Sequence, residues 1–211
     1  MRRGGMQPGE PSAAAQRGLK IACVVLAGGQ GARIGGEKPL RTLAGQSLLA
    51  RALDHAARWS SDTAVAVRDA AQLAGHPAIA LTDDPAIPGP AAGLVSALRF
   101  ALERSADAVL TIAADMPFLP ADLGARLAQS IGPAAAALAS SEGQLHPVCG
   151  LWRVAVLDQA PAYFAAGRRS LKGLGATAGF VAIEWPPAAI DPFFNVNTAD
   201  DLAEAERLLR R

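Results

Sequence analysis

The chain has 211 residues, of which 51% are hydrophobic and 18% charged, with Lys plus Arg 20 against Asp plus Glu 19. This composition excludes a disordered protein, and the near-neutral charge argues against a nucleic-acid partner, which requires a basic face. No apolar run approaches the ~20 residues that cross a bilayer, so we expect no membrane anchor. Cys23 and Cys149 lack metal-ligand spacing, which favours two buried free thiols over a disulfide or a zinc site. Free thiols indicate a reducing compartment, so we predict a cytoplasmic protein.

Short apolar strands alternate with helical stretches from Lys20 onward, after a segment rich in Gly, Pro and Ala. We therefore predict a flexible extension over residues 1–19 and a single domain over 20–211. Strands are predicted at 21–26, 64–67, 78–81, 108–113 and 134–139, and helices at 47–59, from 90, at 121–129 and at 198–209. This alternation predicts an α/β fold, with a three-layer, mostly parallel twisted sheet of Rossmann-like type.

Two of the predicted helices carry start signals. Pro90 is the first residue of the helix predicted from position 90, where the missing N–H of proline has no cost. Thr198-x-x-Asp201 matches a capping box, in which two side chains satisfy the first free N–H groups of a helix. We therefore expect both helices to begin at these residues.

A glycine-rich stretch, VVLAGGQGARIGGEKPL at 24–40, follows the first predicted strand. A turn of this kind lets backbone N–H groups approach phosphates closely at the carboxyl end of a strand. The stretch is neither GxxxxGK[ST] nor a clean GxGxxG, which excludes a P-loop and makes a dinucleotide-binding turn a weak match. A purely structural turn would explain the glycines, but it leaves Arg33 and Lys38 unexplained beside an anion-binding loop.

Four later stretches extend this pattern: PGPAAGL at 88–94, AADMPFLP at 113–120, HPVCGLW at 146–152 and FFNVNTADDL at 193–202. Together with LAGGQGAR and the following GGEKPL they resemble the molybdenum cofactor guanylyltransferase family, the MobA-like nucleotidyltransferases. The resemblance implies that GTP and molybdenum-molybdopterin give molybdopterin guanine dinucleotide and pyrophosphate, with Mg²⁺. The acceptor is a phosphate monoester, largely dianionic near neutral pH, so no general base is needed. We therefore predict no catalytic triad built on His55, His76 or His146.

The resemblance also implies roles for single residues on the nucleotide side. Arg33 and Lys38 would bind the triphosphate and act with Asp115 in catalysis. Asp115 follows the strand at 108–113, where a carboxylate can hold Mg²⁺ against phosphates. The complete predicted nucleotide site is Leu26, Ala27, Gly28, Gly29, Lys38, Asp84 and Asp115. Asp83 is the alternative to Asp84, and either can be a plain turn residue.

On the acceptor side, the resemblance implies that Asn195, Asn197 and Arg169 bind molybdopterin. The two asparagines share one face if the segment is extended, whereas a helix cap is the alternative for Asn197. For Arg169 and its neighbour Arg168, the alternative is a solvated charge pair at a helix start.

Departures from the family pattern keep other functions open. The spacing Gly36-Glu37-Lys38 is shorter than the guanylyltransferase signature and matches cytidylyltransferase relatives, so a CTP-dependent molybdopterin cytidylyltransferase is the nearest alternative. A sugar-phosphate nucleotidyltransferase is more distant. A non-catalytic chaperone for nucleotide and molybdopterin is an alternative of another class, which Arg33, Lys38 and Asp115 together disfavour. The air-sensitive acceptor implies transient molybdoenzyme or chaperone partners.

Overall fold

The computed structural model describes residues 18–27, 38–73, 75–85, 87 and 89–210. Of the predicted extension at 1–19, residues 1–17 lie outside the described residues, as do Gly28, Gly29, Arg33 and Glu37. The strands are β1 (Ile21–Leu26), β2 (Thr42–Leu43), β3 (Gln46–Ser47), β4 (Thr63–Val67), β5 (Ala80–Thr82), β6 (Ala108–Ala113), β7 (Ala136–Ser141), β8 (Gln144–Arg153) and β9 (Phe180–Trp185). The helices are α1 (Leu48–Trp59), α2 (Pro90–Glu103), α3 (Leu123–Ser130), α4 (Ala160–Ala165), α5 (Leu171–Ala178) and α6 (Ala199–Leu208).

The main sheet has the strand order β5-β4-β1-β6-β8-β7-β9 among the described residues. The pairs β1/β4, β1/β6, β4/β5 and β7/β9 are parallel, and β8 is antiparallel to both of its neighbours. The predicted mostly parallel α/β sheet is therefore confirmed. The chain leaves β1 toward β4 and returns to its other side with β6, so a topological switch point lies between β1 and β6, where ligands bind in open α/β sheets.

Side chains of β1 alternate between two hydrophobic cores, one on each face of the sheet. Cys23 and Val25 pack with residues of α1 and α3 on one face. Ala22 and Val24 pack with α2, α5 and Trp152 on the other. Because both faces are covered, the central strands are continuous apolar runs, as the sequence indicated.

The predicted helix starts are confirmed. Pro90 lies in the first turn of α2, and Thr198 caps α6 with both hydrogen bonds of a capping box to Asp201. Strands β8 and β9, helices α4 and α5 and the β2–β3 hairpin were not predicted. No described helix is long and apolar enough to cross a membrane.

Strand β8 contains an irregularity that the sequence did not reveal. Leu138 pairs with Gly150, but the next residue of β7, Ala139, pairs with His146. The intervening residues of β8, 147–149, bulge out of the ladder, and proline in this segment requires no ladder hydrogen bond from its nitrogen. The bulge turns the HPVCGLW stretch toward the carboxyl end of β6.

Candidate active site

A cleft lies along the carboxyl ends of β1, β4, β5 and β6, at the switch point of the sheet. It contains a cavity of about 210 Å³. A second cavity of about 350 Å³ continues outward and shares Arg68, Asp83 and Gly89 with the first. The described residues that line the first cavity are Leu26, Ala66, Arg68, Asp83, Gly89, Pro90, Gly93, Ala113, Asp115, Met116, Val148 and Asn195.

Asp115 lies in the turn that follows β6, at the position expected from the sequence, and lines this cavity. Its Oδ1 is buried. Its backbone carbonyl accepts a hydrogen bond from the N–H of Val196 at 2.9 Å. This bond joins the turn after β6 to the segment before α6, so Asp115 and Asn195 are held in the same cavity wall.

The nearest thiol is no candidate nucleophile. Cys149 is fully buried, and its Sγ lies 3.4 Å from the sulfur of Met116. Burial raises the pKa of Cys149 to about 12, and the Asp115 carboxylate acts in the same direction. Both cysteines are free and buried, as the sequence predicts. A thiol that stays protonated at neutral pH cannot attack a phosphate.

Of the two adjacent aspartates, Asp83 lines both cavities and Asp84 only the outer one. The Oδ1 atom of Asp83 is buried and has no hydrogen-bond partner among the described residues. Burial raises the pKa of Asp83 to about 6, an effect that the nearby positive charge of Arg68 reduces. A buried carboxylate oxygen left without a donor in a cleft is typical of a ligand-binding site.

The start of α2 approaches this carboxylate closely at a glycine. A Cβ atom on Gly93 would stand 3.2 Å from Cδ2 of Leu26 and 3.6 Å from Oδ1 of Asp83. Glycine therefore lets the helix pack against β1 while leaving space beside the carboxylate. The missing side chain at Gly93 in the PGPAAGL stretch thus shapes this wall of the cavity.

Arg68 is a candidate that the sequence analysis missed. It directly follows β4 and lines both cavities beside Asp83. The signal was present, because a cation that ends a buried parallel strand lies at the ligand-binding edge of the sheet.

The predicted acceptor residues are separated in the structure. Asn195 lines the inner cavity, and its buried Oδ1 has no hydrogen-bond partner among the described residues. Asn197 is exposed, and its backbone N–H donates to the Asp201 carboxylate at the start of α6. Arg169 is also exposed, and its guanidinium donates to the backbone carbonyls of Phe164 and Arg168. Neither Asn197 nor Arg169 is among the described residues that line the two cavities.

The predicted phosphate cradle is described only at its edges. Leu26 lines the inner cavity, and Ala27 is buried with its N–H bonded to the carbonyl of Ala66 at 2.9 Å. Lys38 begins a short 3₁₀ helix, and its side chain lies outside the described residues. Gly28, Gly29 and Arg33 themselves lie outside the described residues.

Comparison with known proteins gives one family model, described as the MobA-like NTP transferase domain, which matches residues 23–178. A molybdenum cofactor guanylyltransferase of Rhodopseudomonas palustris is 43% identical over 197 residues, which cover 89% of this chain and 93% of the relative. A protein with the same name from Cereibacter sphaeroides is 36% identical over 195 residues, with 92% and 99% of the two chains covered.

Solved structures agree on the fold. Molybdopterin-guanine dinucleotide biosynthesis protein A from Archaeoglobus fulgidus superposes with a TM-score of 0.74 at 24% identity, covering 90% of this chain and 98% of that one. The 2-C-methyl-D-erythritol 4-phosphate cytidylyltransferase of Thermus thermophilus reaches 0.68 at 18% identity, covering 92% and 100%. These likenesses show a Rossmann-like nucleotidyltransferase fold.

Proposed function

Because the chain belongs to the MobA-like NTP transferase family, we propose that it transfers GMP from GTP to molybdenum-molybdopterin, forming molybdopterin guanine dinucleotide and pyrophosphate. The names of the relatives support this reaction. The observation that carries it is the cleft at the switch point of the sheet, in which Asp83, Asp115 and Asn195 line one cavity. The chain's own part in the reaction is to hold two phosphorylated substrates in line.

The oxygen atoms of this cavity fit a Mg²⁺ ion. Mg²⁺ prefers carboxylate and carbonyl oxygens and usually takes one or two protein carboxylates together with substrate phosphates. Asp115 would hold it, since its Oδ1 is buried at the end of β6 and a buried carboxylate is stabilised by a bound cation. The bound ion would offset negative charge on the departing pyrophosphate.

The cations proposed to hold the triphosphate are Arg33 and Lys38, from the glycine-rich stretch. An arginine and a lysine give complementary phosphate contacts, one bidentate and one a point charge. The backbone of Gly28 and Gly29 would add N–H donors. Because the acceptor phosphate already carries its negative charge, these groups need only position it and neutralise repulsion.

For the base, Asp83 favours guanine. The Watson–Crick edge of guanine carries two adjacent donors, N1–H and N2–H₂, which a single carboxylate can accept together. The corresponding edge of cytosine presents O2 and N3 as acceptors and only one amino donor, so a carboxylate would face like charge density. CTP is therefore the disfavoured substrate despite the short Gly36-Glu37-Lys38 spacing. Asp84, in the outer cavity, is proposed to contact the ribose side of the nucleotide.

On the acceptor side we retain Asn195, Asn197 and Arg169 as proposed molybdopterin ligands. Asn195 has the strongest structural support, because it lines the same cavity as Asp115 and its buried amide oxygen has no partner among the described residues. Transient molybdoenzyme or chaperone partners and a cytoplasmic location remain predictions. The two buried free thiols support a reducing compartment.

The test is an anaerobic reaction of the purified protein with Mg²⁺, molybdenum-molybdopterin and equal concentrations of GTP and CTP, with the dinucleotides separated by chromatography. We expect the guanine dinucleotide and pyrophosphate. A cytosine dinucleotide would keep the family reaction and overturn the base assignment. If substrates bind but no dinucleotide forms, the chain is a carrier and the proposed reaction is wrong.

A further inference from the structure

A polar and aromatic cluster lies beside the candidate active site, at the ends of β7, β8 and β9. The imidazole of His146 stacks on the ring of Phe193, with centroids 4.6 Å apart and planes at 15°. Its Nε2 lies 2.8 Å from Oγ of Ser141, and that hydroxyl donates to Oδ1 of Asp191 at 3.3 Å. We call these four residues, His146, Ser141, Asp191 and Phe193, the clasp.

The order of the groups excludes nucleophilic catalysis. In a catalytic triad the histidine lies between the hydroxyl and the carboxylate. Here the hydroxyl of Ser141 lies in the middle and donates to the carboxylate of Asp191, so the imidazole N–H must donate to Ser141. This order differs from that of a triad, which favours another use for the chain of donors.

The clasp joins two separate parts of the chain. His146 and Ser141 lie on β8 and β7, whereas Asp191 and Phe193 lie in the segment that leads to α6. Within that segment, Oδ1 of Asp191 also accepts from the N–H of Phe193 at 3.0 Å. Phe193 is 2% exposed and meets the ring of Trp185 edge-on at 5.5 Å. The segment is thus fixed to the sheet at its start.

The same segment is fixed again at its end, where the N–H of Val196 donates to the carbonyl of Asp115. Asn195 lies between these two attachments and lines the inner cavity, and its buried amide oxygen has no hydrogen-bond partner among the described residues. A side chain with no hydrogen bond of its own within the described residues depends on its backbone for its position. The bulge in β8 links the two features, since it begins directly after His146 and brings Val148 to the same cavity.

We propose that His146, through Ser141, Asp191 and Phe193, is a positioning residue that holds Asn195 in place for the acceptor substrate. This inference rests on the proposed function and adds a role for the HPV stretch. The clasp contacts no substrate itself. It acts by keeping the segment at 191–197 in a single conformation, so that the ordering cost is already met before the acceptor binds.

The test compares steady-state KM values for molybdenum-molybdopterin and for GTP in His146→Ala and in His146→Gln. For His146→Ala we expect the acceptor KM to rise about tenfold, the effect of one lost hydrogen bond of about 1.4 kcal/mol, while the GTP KM stays within about twofold. His146→Gln should recover most of the loss, because its amide N–H can still donate to Ser141. If His146→Ala fails to fold, Ser141→Ala interrupts the same chain of hydrogen bonds with a smaller change and carries the same expectation.

Two comparisons separate positioning from a general loss of stability. Ser60→Ala removes a 2.7 Å hydrogen bond to the carbonyl of Ile21, at the amino end of β1 and away from the cleft. This variant should lower Tm without changing either KM. In a double-mutant cycle, His146→Ala should add little to the acceptor KM once Asn195 is alanine, since both act through one side chain.

The proposal is overturned if the two effects are additive, if both KM values change alike, or if Ser60→Ala gives the same kinetic pattern. Wild-type protein that forms no dinucleotide would overturn the proposed function instead. In that case, binding of molybdopterin measured by fluorescence on the same variants still tests the clasp.

Discussion

The two flanks of the sheet use their polar side chains differently. On the flank of β5, β4, β1 and β6, the carboxylate oxygen of Asp83 lines a cleft without a partner among the described residues. On the flank of β7 and β9, Ser140 donates to Glu184 at 2.5 Å, and Ser141 links His146 to Asp191. Buried oxygens without donors indicate where ligands bind, whereas polar groups with hydrogen-bond partners indicate which segments are held in position.

The largest expected effect comes from Asp115 at the centre of the cleft. Asp115→Asn keeps the shape and the backbone bond to Val196 but removes the charge proposed to hold Mg²⁺. We expect single-turnover dinucleotide formation to fall by about 10³-fold or more, with Tm nearly unchanged. Asp158→Asn, at an exposed position, is the matched control. A fully active Asp115→Asn protein would remove the metal role from this residue.

For Asp83→Asn we expect a smaller loss, together with changes in two quantities, the GTP Kd and the melting temperature. The amide cannot accept both donors of guanine, so the GTP Kd at pH 7.5 should rise by about ten- to a hundredfold. Because burial raises the pKa of Asp83 to about 6 in the folded protein, the ionised carboxylate costs stability at neutral pH, and the variant should therefore melt at a higher temperature.

The pH dependence of Asp83 has a definite sign. Between the unfolded pKa of 3.8 and the folded pKa of about 6, the native state holds a proton that the unfolded state has lost, so this group's contribution to stability declines as pH rises. The Tm difference between Asp83→Asn and wild type should therefore grow from pH 4 to pH 7. GTP binding should weaken more steeply below about pH 6 in wild type than in Asp83→Asn, since only the terminal phosphate of GTP still takes up a proton in the variant. Asp84→Asn is the control, and an equal response from both positions would contradict the assignment to Asp83.

The two asparagines proposed to bind the acceptor are expected to differ in their effect on its KM. Asn195→Ala should raise the acceptor KM about tenfold, because Asn195 lines the inner cavity, whereas Asn197→Ala should change it by no more than about twofold. Steady-state kinetics at saturating GTP measure both. Equal losses would establish Asn197 as a second acceptor ligand, as the family resemblance implies.

The smallest effect concerns the cap of α6. Thr198→Ala removes the hydroxyl that accepts from the N–H of Asp201 at 3.1 Å, and it should lower the free energy of unfolding by about 1 kcal/mol without changing kcat. Urea denaturation measures the loss, and Thr198→Ser should restore it. A rise in the acceptor KM as large as the one expected for Asn195→Ala would mean that the cap, and not the clasp, positions the segment.

Much of the site could be predicted from local sequence. Asp115 and Leu26 lie at the ends of continuous apolar runs, and such runs mark strands of a covered parallel sheet whose carboxyl ends bind ligands. Arg68 follows the same rule and was missed only because it stands outside the recognised stretches. The choice between Asp83 and Asp84 had no local signal, since adjacent residues differ only in the direction in which the backbone points them.

The alternation of strands and helices, the starts of α2 and α6, and the family could all be predicted from the sequence, because they depend on periodicity and on residues close along the chain. Only the tertiary contacts show which aspartate lines the inner cavity, that residues 147–149 bulge from β8, and that His146 lies close to Asp191 and Phe193. These contacts join residues about 45 to 50 positions apart. Their pairing depends on strand order and register, which no local pattern specifies.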